Sequence, residues 1–227
     1  MGLGSNSGTS KIFLSVGFGK LRQKSLANKE KVNSNTPGAV KRQTQQGADT
    51  WAIEYDWIEG TIDTMFYKVD AEYGNSFEVV INDGQDNYQI SFGDDSRFWF
   101  DLAKKLPNIQ LLFPVKLNPF DFIDKQKNKR HVGLSVEQNG VKILSFYDKK
   151  NTDGTFTSLY DFPKPDIDIN WNDKDEVKVY SIKVKKFLKK EVETRIIPKF
   201  SHSDESVINK FETTDDSLAV GDFDLPF

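Results

Sequence analysis

Cations and aromatic rings are the side chains whose grouping in this chain could do chemistry. Seven bases (Lys20, Arg22, Lys24, Lys29, Lys31, Lys41, Arg42) stand between Lys20 and Gly47 against one acid, Glu30, and a second basic run holds Lys125, Lys127, Lys129 and Arg130. Between the two runs come Trp51, Tyr55, Trp57, Phe66, Tyr67, Phe77 and Tyr88. Ammonium and guanidinium groups neutralise phosphates and rings stack on unpaired bases, which are the two requirements of a non-specific grip on single-stranded nucleic acid. Each stacked base contributes roughly 1–3 kcal/mol, so two or three rings suffice alongside the charges. An aromatic on a strand is more often core than platform, and Trp57, Phe66 and Phe77 are expected in the core. Tyr55, Tyr67 and Tyr88 are better platforms, because a phenol keeps one wet side. Trp51 stands at a strand start beside the first basic run. The candidate strand-binding set is therefore Lys20, Arg22, Lys24, Lys41, Arg42, Trp51, Tyr55, Tyr67, Tyr88, Lys127, Lys129 and Arg130.

Catalysis finds no comparable grouping. The chain has no cysteine, which excludes disulfides and thiolate chemistry, and His131 and His202 are its only imidazoles. No candidate nucleophile has a convincing base partner. Gly17-Phe18-Gly19-Lys20 fails as a phosphate loop, with Leu14 where the first glycine belongs and Leu21 where Ser or Thr belongs. Asp166 and Asp168 share one side of an extended segment, but without a third acid they read as a solvated acidic loop. The expectation is a binding protein, not an enzyme, with no cofactor and no metal. The weaker alternative is an enzyme using Asp166 and Asp168 to hold a metal.

The elements that must carry the rings read mainly as strands. Ile12–Phe18 is a first strand, and Lys20–Gly47, broken by Asn33-Ser34-Asn35-Thr36-Pro37-Gly38, reads as a long basic loop. Trp51, Ile53, Tyr55 and Trp57 alternate with Ala52, Glu54 and Asp56, a strand pattern that puts the four apolar positions on one side. Thr61–Val69 follows, and then a hairpin over Phe77–Phe92 about Asn82-Asp83-Gly84. Ser96 caps a predicted helix that places Phe98, Trp99, Leu102, Ala103 and Leu106 on one face and that Pro107 ends. Gln110–Leu117 reads as a strand, with Pro114 arguing for an edge or bend. Val132–Glu137 and Val141–Phe146 flank Asn139-Gly140, a type I′ hairpin signal. Residues 148–173 read as a polar excursion, and 175–197 favours helix at least over Val184–Ile196, stopped by Pro198. Strands, a short helix, then a strand hairpin is the order of an OB fold, a small Greek-key barrel, with the strands at 76–92 and the late helix as insertions and additions. The fold class expected is mainly β (α+β): an OB-fold-like antiparallel β-barrel with one or two helices and a disordered acidic tail. A generic antiparallel α+β sheet fits the same pattern.

Charge divides the chain. Residues 201–227 carry seven acids and one base, net −6, which leaves residues 1–200 at net +3. Three segments follow: a flexible start at 1–10, a binding domain at 11–200 and an acidic tail at 201–227, whose apolar content is too small to offset the entropy of ordering. A basic body with an acidic tail suits a tail that competes with a polyanion for one surface. No apolar run reaches the length of a membrane span, and Met1–Asn6 lacks a signal-peptide core and a myristoylation site. The expectation is a soluble cytoplasmic protein with no membrane partner, for which a homo-oligomer is compatible.

The tail closes on Asp222-Phe223-Asp224-Leu225-Pro226-Phe227, a ring and a carboxylate on a charged string, suited to a basic pocket with an apolar floor. This tip resembles that of bacterial single-stranded DNA-binding proteins, where Asp residues precede Ile-Pro-Phe, and the acidic Phe-terminated tails of phage single-stranded DNA-binding proteins. Leu225 stands in place of the Ile, and Phe223 interrupts the Asp run. The resemblance implies a protein that coats exposed single strands during replication, recombination or repair. It further implies that Asp222, Asp224, Leu225, Pro226 and Phe227 dock onto replication proteins such as a polymerase, helicase-primase or nuclease. The chain's length and layout look more like a phage protein, which would work in the bacterial host cytoplasm. The runner-up function is a β-rich structural or adaptor protein, such as one of a virion, whose tail is an assembly peptide.

Overall fold

The computed structural model describes residues 11–26, 28–44, 47–70, 74–126, 128–152, 156–166, 169–170 and 173–201. The chain is mostly β. Strands β1 (Lys11–Gly17) and β2 (Lys20–Gln23) form a hairpin, followed by β3 (Ala39–Gln43), β4 (Asp49–Tyr55) and β5 (Ile58–Lys68). Strands β6 (Ser76–Asn82) and β7 (Asn87–Gly93) precede helix α1 (Arg97–Lys105). Strands β8 (Val115–Asp124) and β9 (Lys129–Gln138) make a long hairpin, β10 (Val141–Lys142) adds two residues, and β11 (Asp148–Lys150) with β12 (Phe156–Ser158) forms a separate ribbon. Helix α2 (Lys174–Glu191), a π-helical turn (Val192–Ile196) and α3 (Ile197–Ser201) close the described chain. No helix among the described residues is long and apolar enough to cross a membrane.

Ten strands form one sheet in the order β10-β9-β8-β5-β6-β7-β1-β2-β4-β3, antiparallel except for the β1–β7 pair. Strand β5 is the hinge of this order. Ile58–Gly60 pair with Leu117–Val115 of β8, whereas Thr61–Lys68 pair with β6 across a bulge between Ile62 and Thr64. Gly60 sits at the changeover, where an added Cβ would meet the Asn82 carbonyl. The sheet bends so far that the β1–β2 turn reaches β8, five strands away in the order. Gly19, at φ +69°, lies flush against the Phe120–Asp121 backbone.

The sheet nevertheless stays open, and the expected closed barrel is corrected on that point. The free edge of β7 is taken by β1 in parallel. The outer edge of β9 is capped by α1, where the Leu134 N–H donates to the Asp101 carboxylate (3.0 Å) and the Lys105 ammonium donates to the Leu134 carbonyl. Because those Leu134 groups point away from β8, Pro119 opposite it interrupts no bond of the β8–β9 ladder.

The core lies on the face that holds Leu14, Leu21, Phe77, Val79, Ile81, Ile90 and Phe92, and the helices cover it. Ser96 caps α1 by accepting from the Trp99 N–H (3.2 Å), and Phe98, Trp99, Leu102 and Ala103 are buried. Asp173 caps α2, which buries Val184 and Leu188.

Four elements differ from the sequence reading. The basic loop contains β2 and β3, strands too short and too polar to stand out as an alternating pattern. Strand β8 begins after Pro114, not at Gln110. The strand expected over Val141–Phe146 is only two residues long. Pro198 does not end the last helix, because the Ile197 N–H donates to the Val192 carbonyl and the π turn lets α3 start afresh with Pro198 in its first turn. Phe200 thereby reaches the core.

Candidate functional site

Strand β4 supplies the first half of the site. Residues directly opposite one another across a ladder share a face. Tyr55 is therefore beside Leu21 of β2, and Trp51 is beside Lys41 of β3. Trp51, Ile53 and Tyr55 alternate onto that face as the sequence predicts, and Trp51 is half-buried. Tyr55 is exposed and donates its hydroxyl to the Gln23 side chain (2.8 Å), which fixes the ring.

The second half comes from the ends of β5 and β7. Tyr55, Trp57 and Tyr88 line one cleft of about 220 Å³ with Leu14, Leu21 and Ile58 as its apolar wall and Glu59 and Asp83 at its polar side. Trp57 is 50% exposed and lies under the Lys116 ammonium, 4.4 Å from the ring centroid. Burial, followed by its hydrogen bond to the Asp83 carboxylate, pushes the Tyr88 phenol up to about 12. Three rings, two from the β4–β5 junction and one from β7, thus face one opening, and the phenols stay neutral across the physiological range.

Trp57 corrects the expectation that placed it in the core. The chain leaves the β4 ladder at Asp56, so the alternation that runs to Tyr55 does not bury the next ring. Phe66 is likewise 38% exposed, whereas Phe77 is buried as expected. Tyr67 is the opposite correction. Its ring packs against Phe77 (4.9 Å) and Trp99 (6.4 Å), under Lys189, and its hydroxyl approaches the Trp99 indole without a hydrogen bond of normal geometry. Burial raises its phenol well above the ordinary range, and a ring so enclosed offers no face to a base.

The candidate cations fall into three groups. Arg22 is only 4% exposed and is spent inside the protein. Its guanidinium pairs with Glu54 (3.2 Å), donates to Thr50 (3.1 Å) and stacks under Phe18 (4.9 Å), so it is not a phosphate contact. Arg42 grips the same carboxylate with two bonds, 3.2 and 2.8 Å. Burial opposes ionisation of Glu54, but hydrogen bonds and charge from Arg42 and Arg22 outweigh it and hold the carboxyl below its usual range. Lys20 and Lys41 make exposed pairs with Asp56 and Asp49. Lys24 and Lys129 are exposed and make no ion pair with another described residue.

The far end of the β8–β9 hairpin forms a second patch that the sequence reading saw only as charge. Arg130 makes two bonds to Asp121 (2.7 and 2.6 Å), which lower that carboxyl. Phe122 stacks on His131 (5.3 Å) and is largely exposed, as is Ile123. Lys116, Phe18 and Phe122 were invisible as site residues because each reads as one position of an ordinary alternating strand or turn. Lys127 and the tail positions Asp222, Asp224, Leu225, Pro226 and Phe227 lie outside the described residues.

Of the metal-pair candidates, Asp166 accepts from Lys183 (3.2 Å) and Asp168 lies outside the described residues. Gly17-Phe18-Gly19-Lys20 is the β1–β2 turn, with Phe18 at φ +56° and Gly19 at +69°. No family model, no curated protein and no solved structure matches the chain.

Proposed function

We propose that this chain binds single-stranded DNA without sequence preference, in the service of replication, recombination and repair. The observation that carries the reading is the convergence of Tyr55, Trp57 and Tyr88 in one open cleft, with Lys116 over one ring and Lys20 on the strand that walls it. Rings of this kind stack on any base, and the cations beside them follow the phosphates. The β8–β9 hairpin end, with Phe122, His131, Lys129 and Arg130, extends the same surface chemistry.

The order of elements supports the reading. The meander β5-β6-β7, then α1, then the β8–β9 hairpin returning to β5, is the succession of elements expected of an OB fold, a scaffold that binds oligonucleotides on its strands and loops, although β1 stands beside β7 where the last barrel strand would close. In this view β1 to β4 are the added unit, in place of the strands at 76–92 that the sequence suggested, and they supply Trp51, Tyr55 and Lys20. The acidic segment after Ser201 recruits replication proteins and screens the groove when DNA is absent.

A tryptophan-fluorescence titration with oligo-dT and with duplex DNA of matched length, each at two salt concentrations, tests the reading. Oligo-dT is expected to quench emission and bind more tightly than duplex, with affinity falling by a log–log slope of about −0.7 per phosphate contacted. Indifference to oligo-dT, in the intact chain and in one ending at Ser201, would sink it and leave a β-rich assembly or adaptor role.

A further inference from the structure

The cations around the rings are not equally available, and their partners sort them. The Arg22–Glu54 pair is closed, with side chains 4% and 8% exposed, and Glu54 is further held by Arg42. Arg22 has its Glu54 and Thr50 partners inside the protein and offers almost no surface to solvent. The Lys41–Asp49 pair (2.7 Å) and the Lys20–Asp56 pair are of another kind. Their carboxylates are 48% and 71% exposed, and both lysines face water. Such pairs are weak and exchange readily.

Position gives these two pairs a meaning. Asp49 is two residues before Trp51, and Lys41 is directly opposite that ring across the ladder. Asp56 stands between Tyr55 and Trp57 in the chain, two of the three rings that line the cleft. A carboxylate and a phosphate oxygen are equivalent acceptors for a lysine ammonium. Each lysine close to these rings in the chain or across the ladder is thus already held by an acceptor of the kind that a phosphate would offer.

We infer that Asp49 and Asp56 are internal competitors for the DNA backbone: they neutralise Lys41 and Lys20 in the free protein and are displaced when a single strand enters. The inference rests on the single-strand reading given above and adds the regulation of that site. A lone anion has only one weak pair to exchange and no ring to stack on, so it gains little. A strand exchanges both pairs while its bases stack. Each displaced carboxylate takes up cations from solution as the phosphate releases them, so the salt slope of binding understates the phosphates engaged.

The test compares Asp49→Asn/Asp56→Asn with the intact chain for oligo-dT binding at two salt concentrations. A control of equal charge change, Asp166→Asn/Glu193→Gln, removes the acids paired with Lys183 and Lys189 near and on the helices. The Asp49/Asp56 variant is expected to bind about threefold to tenfold more tightly at low salt. Its salt slope should steepen by about 0.7 for each lysine freed. The control should shift affinity less than about twofold with no change of slope. Adding Lys20→Gln/Lys41→Gln should then cost more affinity in the Asp49/Asp56 variant than in the intact chain. Equal effects from both acid pairs would reduce the effect to overall charge and overturn the competition, as would no effect from either. Absence of oligo-dT binding by the intact chain is a different result: it removes the single-strand reading itself, and this inference with it.

Discussion

At the scale of the residue, Trp57 and Glu54 show how neighbours set a side chain's use. Trp57 stays half in water because β4 ends two residues before it, at Tyr55, and Lys116 covers the ring without burying it. Truncation to alanine therefore removes stacking area and little core. Trp57→Ala is expected to weaken oligo-dT binding by about 1–3 kcal/mol, read by anisotropy, with the melting temperature nearly unchanged. Glu54 is the converse, a carboxylate enclosed between two guanidinium groups. Its folded pKa lies below the ordinary glutamate value of about 4.3, so its stabilisation is complete above that pH and is lost as pH falls through the lowered folded value. Glu54→Gln leaves Arg22 buried without a counter-charge, which should cost about 3–5 kcal/mol in urea unfolding at pH 7. The variant should also lose part of the acid-side slope of stability against pH. An unchanged midpoint would mean that Arg22 finds another partner.

Elements succeed or fail here by how closely backbones approach. Strand β5 changes partner from β8 to β6 at Gly60, and the Asn82 carbonyl occupies the space a side chain would need. Gly60→Ala must push β6 away from β5 at the point where the sheet turns, and a loss of about 2–3 kcal/mol in thermal or urea unfolding is expected. A stability within about 0.5 kcal/mol of the parent would show that the sheet can relax there. The α2–π–α3 run makes a related point. A proline ends a helix only if its missing N–H and its ring cannot be accommodated, and one wide turn accommodates both.

Over the whole molecule, charge and sheet curvature act together. The described body presents lysines on β2, β3 and the β8–β9 hairpin, and the sheet bends to bring the β1–β2 turn against β8. The segment 202–227 carries the net −6 of the tail. Because α3 runs to Ser201, a chain cut after that residue keeps every described element. It is expected to bind oligo-dT more tightly, on the order of tenfold at low salt and less as salt screens the charges. It should also lose recruitment of replication proteins in a pull-down. Weaker DNA binding after the cut would contradict competition by the tail.

The sequence by itself determined those features that local chemistry governs. The Ser96 cap and apolar face specified α1, turn residues specified the β6–β7 hairpin, and alternation placed Trp51, Ile53 and Tyr55 on one face. It also fixed the division between a basic body and an acidic tail. Only the tertiary structure decided which rings are wet and which cations are committed, because both depend on partners distant along the chain. Tyr67 is enclosed by Trp99, Arg22 is locked by Glu54, and Trp57 meets Lys116 across 59 positions of sequence. That the sheet stays open was decided at the same level, by β1 taking the edge of β7 and α1 capping that of β9. An unpaired edge binds whichever element folding brings to it, and no run of residues within the strand names that element.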